Sequence, residues 1–196
     1  MTPEEHTPEK MQRLFVAVEL PDNVREALMT LQKGLSGMRW TEPNNLHLTL
    51  RFIGEVPLTQ VEKIRMALED IHEKRFSLRL RELGFFDRRP QAILWAGLDE
   101  SQELLALKAQ IDAALATHAG LRAPQGRFSP HITLGRMKNA DRKILKEFTA
   151  QHIGANKTPF LVTGFTLFSS ILDPNGAEHT VEARYNLTCE QPDGQQ

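Results

Sequence analysis

The chain lacks the features that mark several large classes of protein. One cysteine, Cys189, among 196 residues excludes an intramolecular disulfide and a zinc site built from several cysteines. No apolar run approaches the roughly 18 residues that a membrane-spanning helix needs, and the first ten residues lack the apolar segment of a signal peptide. A net charge of −1 predicts no tight nonspecific binding to nucleic acids. We therefore expect a cytoplasmic protein in a reducing compartment.

The sequence also lacks the short motifs of nucleotide and metal sites. The patterns G-x-x-x-x-G-K-[ST] and G-x-G-x-x-G, which cradle phosphates, do not occur. Neither does H-E-x-x-H, nor a carboxylate–histidine cluster with the spacing of metal ligands. We therefore predict no metal and no cofactor.

A tetrapeptide that occurs twice is the most informative feature that is present. HLTL begins at His47 and HITL begins at His131. In an extended strand the histidine and the threonine share one face, and the two aliphatic residues share the other. A single His-x-Thr is common in proteins, so the repetition carries the inference. Two such strands brought together would form a site with two imidazoles and two hydroxyls.

The periodicity of the apolar residues predicts the same order of elements in both halves of the chain. Each half is predicted as strand, helix, motif strand, helix, strand, over about 13–86 and 91–169. We expect one domain over 13–189, with flexible tails at 1–12 and 190–196. The predicted strands are 13–20, 46–53, 76–86, 92–98, 128–136, 160–169 and 178–188, and the predicted helices begin at Asp22 or cover 59–73, 101–118 and 141–151.

Two local signals set boundaries in this scheme. Gly54 is predicted to end the first motif strand, and Thr59 is predicted to cap the helix that follows it. The repeated element order favours an α+β fold with a duplicated two-lobe architecture. Each lobe is expected to be a mainly antiparallel sheet with helices packed outside, and the active-site cleft is expected between the lobes on a pseudo-twofold axis.

The motif residues suit the cleavage of a phosphodiester. Histidine titrates near neutrality, so one imidazole can deprotonate the attacking group while the other protonates the departing oxygen. The hydroxyls of Thr49 and Thr133 can donate hydrogen bonds to the phosphate oxygens. Among the arginines near the motifs, Arg51, Arg127 and Arg136, we select Arg136 as the phosphate ligand. The remaining histidines are expected to be exposed and without a role.

Four segments of the chain resemble the two-histidine phosphoesterase superfamily. They are RLFVAVELP, NLHLTLRFIGEV, RFSPHITLGR and the segment from Ser170 to Tyr185. The nearest branch resembles the prokaryotic RNA 2′,3′-cyclic phosphodiesterases, once named 2′-5′ RNA ligases, and the resemblance extends over about 13–187. It implies a metal-independent monomeric hydrolase that opens 2′,3′-cyclic phosphates at RNA 3′ ends and leaves a 2′-phosphate. No membrane and no obligatory protein partner are implied.

The resemblance also implies a role for each motif residue. His47 matches the proton donor and His131 the proton acceptor, an assignment that the pseudosymmetric motifs alone leave open. Thr49 and Thr133 match the threonines that contact the phosphate. Arg136 falls where the family often has a basic residue.

Three alternatives remain open at this point. The first is 2′-5′ RNA ligation, the reverse chemistry, in which a 5′-hydroxyl replaces water. The second is a phosphodiesterase for small cyclic nucleotides, which would use the same catalytic pair. The third is a non-catalytic module that binds RNA ends, against which the intact histidines and threonines of both motifs argue.

Overall fold

A computed structural model describes residues 9–152, 159–173 and 176–189. These residues form strands, four α-helices and a short 3-10 helix. In chain order the elements are β1 (Met11–Glu19), α1 (Asp22–Leu31), β2 (Met38–Trp40), the 3-10 helix (Pro43–Asn45), β3 (His47–Pro57), α2 (Leu58–Glu69), β4 (Phe76–Arg88), β5 (Gln91–Leu98), α3 (Gln102–Ala119), β6 (His131–Lys138), α4 (Arg142–Gln151), β7 (Pro159–Val162), β8 (Gly164–Asp173) and β9 (Gly176–Asn186).

The strands form one path of antiparallel neighbours in the order β7-β4-β5-β6-β3-β1-β8-β9, with β2 beside β6. The two motif strands, β3 and β6, meet at the centre through a single residue pair, Leu48 and Ile132. We call β3, β1, β8 and β9 the His47 group, and β6, β5, β4, β7 and β2 the His131 group. The predicted α+β fold with two related lobes is confirmed, and the pseudo-twofold axis passes through the central pair.

Each group of strands contains segments from both halves of the sequence. β4 ends the first half but pairs with β5, and β8 belongs to the second half but pairs with β1. The pairing also shows which residues correspond. Phe86 lies opposite Ile93 and Phe168 lies opposite Phe15, so Phe86 and Phe168 occupy equivalent places. The two lobes are therefore intertwined.

The core lies on the face that the motif aliphatics share. Leu48, Ile132 and Leu134 are 0% exposed and Leu50 is 2% exposed. Each α-helix adds buried residues to the same cluster, among them Leu28, Ile64, Ile111 and Leu145. Burial of one such side chain stabilises the fold by about 1.5–3 kcal/mol. Because the helices cover this face, the histidines and threonines are left on the opposite one.

The helix ends show one regular pair of caps, on α3, and contradict the cap predicted for α2. The Ser101 hydroxyl accepts the Leu104 amide hydrogen bond at the start of α3, and Gly120 ends that helix with a φ of 68°. The prediction that Thr59 caps α2 is wrong, because α2 begins at Leu58 directly after Pro57. The Thr59 hydroxyl instead lies 3.1 Å from the Glu9 carboxylate. α2 also ends earlier than predicted, at Glu69.

Two strand predictions need correction, and one strand was not predicted. Gly54 does not end β3, which continues to Pro57. Gly54 has a φ of 92° and lies at a break in the β1–β3 register, where glycine tolerates a conformation that other residues rarely adopt. The predicted strand 160–169 is two strands, β7 and β8, separated at Thr163. β2 was not predicted because three residues are too few to show a period.

The predicted tails are described only in part. Met11 and Gln12 belong to β1 and pair with Pro57 and Val56, so this strand begins two residues before the predicted start at residue 13. Residues 1–8 and 190–196 lie outside the described residues.

Candidate active site

The central pair brings the two motifs together on one face. Leu48 lies opposite Ile132 in an antiparallel pair. This register places His47 across from Thr133, and Thr49 across from His131. Cross-strand Cβ atoms are about 4.5–5.5 Å apart and diagonal ones about 7–8 Å. The two imidazoles therefore lie on the diagonal of a four-residue cluster that is wide enough for one phosphate.

A β-bulge follows the threonine in each motif. In β3 the pairing with β1 skips Leu50, and in β6 the pairing with β5 skips Leu134. The extra residue reverses the alternation of side chains. The fifth residue after each histidine consequently returns to the face of the imidazole: it is Phe52 in β3 and Arg136 in β6. Without the bulge, Arg136 would face the core, because it is an odd number of residues from Thr133.

The three candidate arginines have different positions. Arg136 is exposed and lies beside Thr133 on the site face, as the choice of it as a phosphate ligand requires. Arg51 is only 6% exposed, and its guanidinium lies 3.2 Å from the Asp112 carboxylate and 2.5 Å from the Arg122 carbonyl. Arg51 therefore binds α3 and the loop after it, away from the histidines. Arg127 is exposed in the loop before β6.

Both catalytic candidates hold their rings in the same way. Nδ1 of His47 lies 2.8 Å from the Asn45 carbonyl, and Nδ1 of His131 lies 2.8 Å from the Ser129 carbonyl. A carbonyl oxygen only accepts, so each Nδ1–H donates to the residue two positions earlier. Nε2 is then a lone-pair acceptor when the ring is neutral and a donor when it is charged. Each imidazole is fixed in the form that acid–base chemistry at Nε2 needs.

His47 is packed among rings. Its ring centroid lies 4.9 Å from that of Phe15, 5.3 Å from that of His179 and 6.3 Å from that of Phe168. Burial among these groups lowers the pKa of His47 to about 4, with smaller contributions from the charges of His179 and His131. His47 is therefore uncharged in the free protein at neutral pH.

His131 lies against different rings. Phe86 meets it edge-on at 4.9 Å and Trp95 lies at 6.3 Å. Trp95 also covers Gly84, where an added Cβ would be 2.3 Å from the indole ring. Trp95 pairs with Thr133, so it lies on the site face and not in the core.

His179 is a site residue that the sequence did not reveal. It was expected to be exposed, but it is partly buried on β9, against Phe15 and beside His47. Burial lowers its pKa. Its position depends on β9 following β8 at the edge of the His47 group, which no local pattern indicates. His152 is also partly buried, with Nδ1 2.8 Å from the Phe148 carbonyl, but it lies at the end of α4.

Glu19 is a second residue that the sequence did not reveal. It pairs with His47 across β1 and β3, so the two side chains share the site face. Its carboxylate accepts hydrogen bonds from the Arg184 guanidinium at 2.8 Å and from the Thr166 hydroxyl at 2.6 Å. The Arg184 hydrogen bond is the main reason that the pKa of Glu19 is lowered. Glu19 therefore lies beside His47 as an ionised carboxylate that is already hydrogen-bonded to Arg184 and Thr166.

The motif threonines contrast with Glu19. Within the described ranges, neither the Thr49 nor the Thr133 hydroxyl has a hydrogen-bond partner in the protein. Both residues are partly exposed on the site face. Two donors are thus available to an anion that lies between the imidazoles.

The described part of the chain holds neither a metal-binding cluster nor a membrane-spanning helix. No group of three or more histidine, cysteine, aspartate or glutamate side chains there could hold a metal ion. No helix among the residues described has both the length and the apolar character to span a bilayer.

Comparisons with known proteins give a consistent result. The family model described as LigT like Phosphoesterase matches residues 18–95 and 97–178. A relative from Archaeoglobus fulgidus, named RNA 2′,3′-cyclic phosphodiesterase, is 32% identical over 84% of this chain and 94% of its own. A relative of the same name from Thermus thermophilus is 31% identical over 91% of both chains. The crystal structure of Escherichia coli LigT in apo form aligns with a TM-score of 0.75 and 27% identity, over 91% of this chain and 99% of that one.

Proposed function

Because the chain belongs to the LigT-like phosphoesterase family, we propose that it hydrolyses 2′,3′-cyclic phosphates at RNA 3′ ends and leaves 2′-phosphomonoesters. The observation that carries this proposal is the four-residue cluster of His47, Thr49, His131 and Thr133 across one residue pair. The name RNA 2′,3′-cyclic phosphodiesterase, which the relatives share, supports the substrate.

Nε2 of each imidazole performs one proton transfer in the proposed reaction. Neutral His131 takes a proton from water, and the oxygen of that water attacks phosphorus in line with the bond to the 3′ oxygen. That bond breaks, and charged His47 donates its proton to the 3′ oxygen. The 2′ ester bond stays intact. Proton exchange with solvent then restores the starting forms of both rings.

The neighbouring donors stabilise the charge that develops on phosphorus. The hydroxyls of Thr49 and Thr133 donate to the two non-bridging oxygens, where negative charge accumulates. The Arg136 guanidinium adds a planar pair of donors that stays charged at every working pH. No step requires a metal ion or a cofactor.

The low pKa of His47 fits a donor that is charged only in the complex. In the free protein, burial keeps the ring neutral, with a pKa of about 4. A phosphate between the imidazoles brings a negative charge within a few ångströms, and an opposite charge at that distance favours the charged form. Phosphate binding and the uptake of a proton by His47 are therefore coupled.

A direct test uses an oligoribonucleotide that ends in a 2′,3′-cyclic phosphate. Incubated with the protein in excess EDTA, it should yield a terminal 2′-phosphate, identified by mass spectrometry and by resistance to 3′-specific phosphatases. A 3′-phosphate product would contradict the assigned leaving oxygen. Activity that is lost in EDTA and restored by a divalent ion would contradict metal-independent catalysis.

The same assay addresses the alternatives. Adding an oligonucleotide with a 5′-hydroxyl tests 2′-5′ ligation, in which this hydroxyl replaces water. A protein that binds the RNA end without turnover would be a binding module. We further propose one monomeric, cytoplasmic domain over 13–189, extended at its start by Met11 and Gln12 of β1, with the internal repeat 13–86 and 91–169.

A further inference from the structure

We propose that a row of three cations on the His131 group extends the site beyond the cyclic phosphate, so that the enzyme prefers RNA ends to free cyclic nucleotides. Arg136 binds the cyclic phosphate, and Lys138 and Arg88 form a subsite for the RNA phosphates outside it. The cations are Arg136, Lys138 and Arg88, and we call them the cationic strip. This inference rests on the proposed function and identifies the class of substrate that the same site accepts.

The strand register places all three on the site face. Arg136 pairs with Ile93, and Lys138 and Arg88 both lie opposite Gln91. Ile93 and Gln91 alternate with the buried Ala92 and Leu94, so they share the face of Trp95 and Thr133. At about 3.3 Å per residue, the strip extends roughly 20 Å from His131 along β6. This length suits several nucleotides of single-stranded RNA.

The strip differs from several other arginines near the sheet in forming no ion pair within the described residues. Arg184 is paired with Glu19, Arg51 with Asp112, and Arg142 with Asp87. None of the three strip cations forms an ion pair with any residue in the described ranges. Unpaired like charges in a row repel one another, and an anionic chain along the row would relieve that repulsion.

Aromatic rings connect the strip to the catalytic pair. The Arg88 guanidinium lies 6.0 Å from the centroid of the Phe86 ring, and the Phe86 ring lies 4.9 Å from that of His131. Trp95 lies beside Phe86 at 5.3 Å. Cations interleaved with aromatic rings are the arrangement by which proteins bind single strands, through phosphate contacts and base stacking.

The His47 group has no counterpart of the strip. The residue that corresponds to Arg136 is Phe52, and the one that corresponds to Lys138 is Gly54, by position after the histidine. Ser170 corresponds to Arg88 through the register that matches Phe168 with Phe86. The symmetry of the backbone therefore does not require cations at these three positions.

The experiment compares two substrates that share a terminal nucleotide. One is a free 2′,3′-cyclic nucleotide, and the other is an oligoribonucleotide that ends in it. The native protein should have the higher kcat/KM on the oligonucleotide, and this advantage should fall as salt is raised. The double variant Arg88→Gln/Lys138→Gln should have about tenfold lower kcat/KM on the oligonucleotide. The slope of log kcat/KM against log salt concentration should become shallower by about one for each cation removed. Its activity on the free nucleotide should not change.

The matched control is Lys63→Gln/Lys146→Gln, which removes two exposed cations from α2 and α4. It should keep the preference of the native protein. Equal losses in the two double variants, or an undiminished preference in Arg88→Gln/Lys138→Gln, would overturn the subsite.

A binding arm separates this inference from the proposed function. Fluorescence anisotropy measures the affinity of each protein for an oligonucleotide that already ends in a 2′-phosphate. If the native protein hydrolyses neither cyclic substrate, the proposed function fails. In that case weaker binding by Arg88→Gln/Lys138→Gln, but not by the control, still supports the strip, and equal binding by all three proteins overturns it as well.

Discussion

The His47 group and the His131 group share a backbone plan but differ in the side chains around the imidazole. Each histidine donates from Nδ1 to the carbonyl two residues earlier, and each motif ends in a bulge. His47 is packed against Phe15 and His179, whereas His131 lies at the start of a row of cations. The comparison shows that the motif fixes what both imidazoles can do. The neighbouring strands decide which groups lie next to each imidazole, and for His47 they also lower the pKa.

The largest expected effect comes from removing either imidazole. His47→Ala and His131→Ala should each lower kcat/KM on a cyclic-phosphate RNA by at least about 10²-fold, the scale of one general acid or base. The double variant should lose much less than the product of the single losses, because the residues act as a unit. Near-native turnover in either folded single variant would remove that histidine from the mechanism.

The threonines test whether the two sides stabilise the phosphate equally. Thr49→Val and Thr133→Val keep the β-branched shape and delete the hydroxyl. Loss of one donor to a developing oxyanion costs on the order of 10²-fold in kcat in favourable cases. Steady-state kinetics on folded variants checks this. Full rates at saturating substrate would show that the hydroxyls are structural.

The residue after the bulge is Phe52 in the His47 group and Arg136 in the His131 group. A substitution of Arg136 tests what this difference contributes. Arg136→Lys keeps the charge and removes the planar fork, so we expect roughly tenfold lower kcat/KM. Arg127→Lys is the matched control, because Arg127 is exposed in the loop before β6. An Arg136→Lys enzyme as active as the control would show that a point charge suffices at this position.

The pKa of His47 predicts how stability depends on pH. The folded pKa is about 4, below the ordinary value of 6.5. Between these values the unfolded chain binds a proton that the folded protein does not, so the free energy of unfolding falls as pH falls from 6.5 to 4. Urea titrations measure the free energy of unfolding across this interval, and it should fall less in His47→Gln than in the native protein. His131→Gln, which keeps His47, is the comparison variant. Equal slopes in His47→Gln and the native protein would contradict the shift.

The smallest expected effect concerns the third imidazole. His179→Gln removes a group whose positive charge lowers the pKa of His47, so that pKa should rise slightly while burial keeps it below 6.5. NMR titration of the His47 ring measures the change, with His152→Gln, at the end of α4, as the control. A pKa of His47 that is lower in His179→Gln would contradict the assigned sign.

The sequence predicted those parts of the site that depend on one strand alone. Alternation within HLTL and HITL was enough to divide Leu48 and Ile132 from the histidines, and their burial confirms this. The face of Arg136 depends on a bulge that appears only when β6 is paired with β5. The places of His179 and Trp95 likewise depend on strands that are distant in sequence. Such pairing is set by the whole sheet, which local propensity does not encode.

The intertwined strands have a consequence for how the protein is made. β1 has β3 on one side and β8 on the other, and β8 begins only at Gly164. A nascent chain that already carries both histidines therefore still lacks the strand that completes the sheet beside His47. We expect products that terminate before β8 to be inert, and the enzyme to become active only after β8 and β9 have left the ribosome.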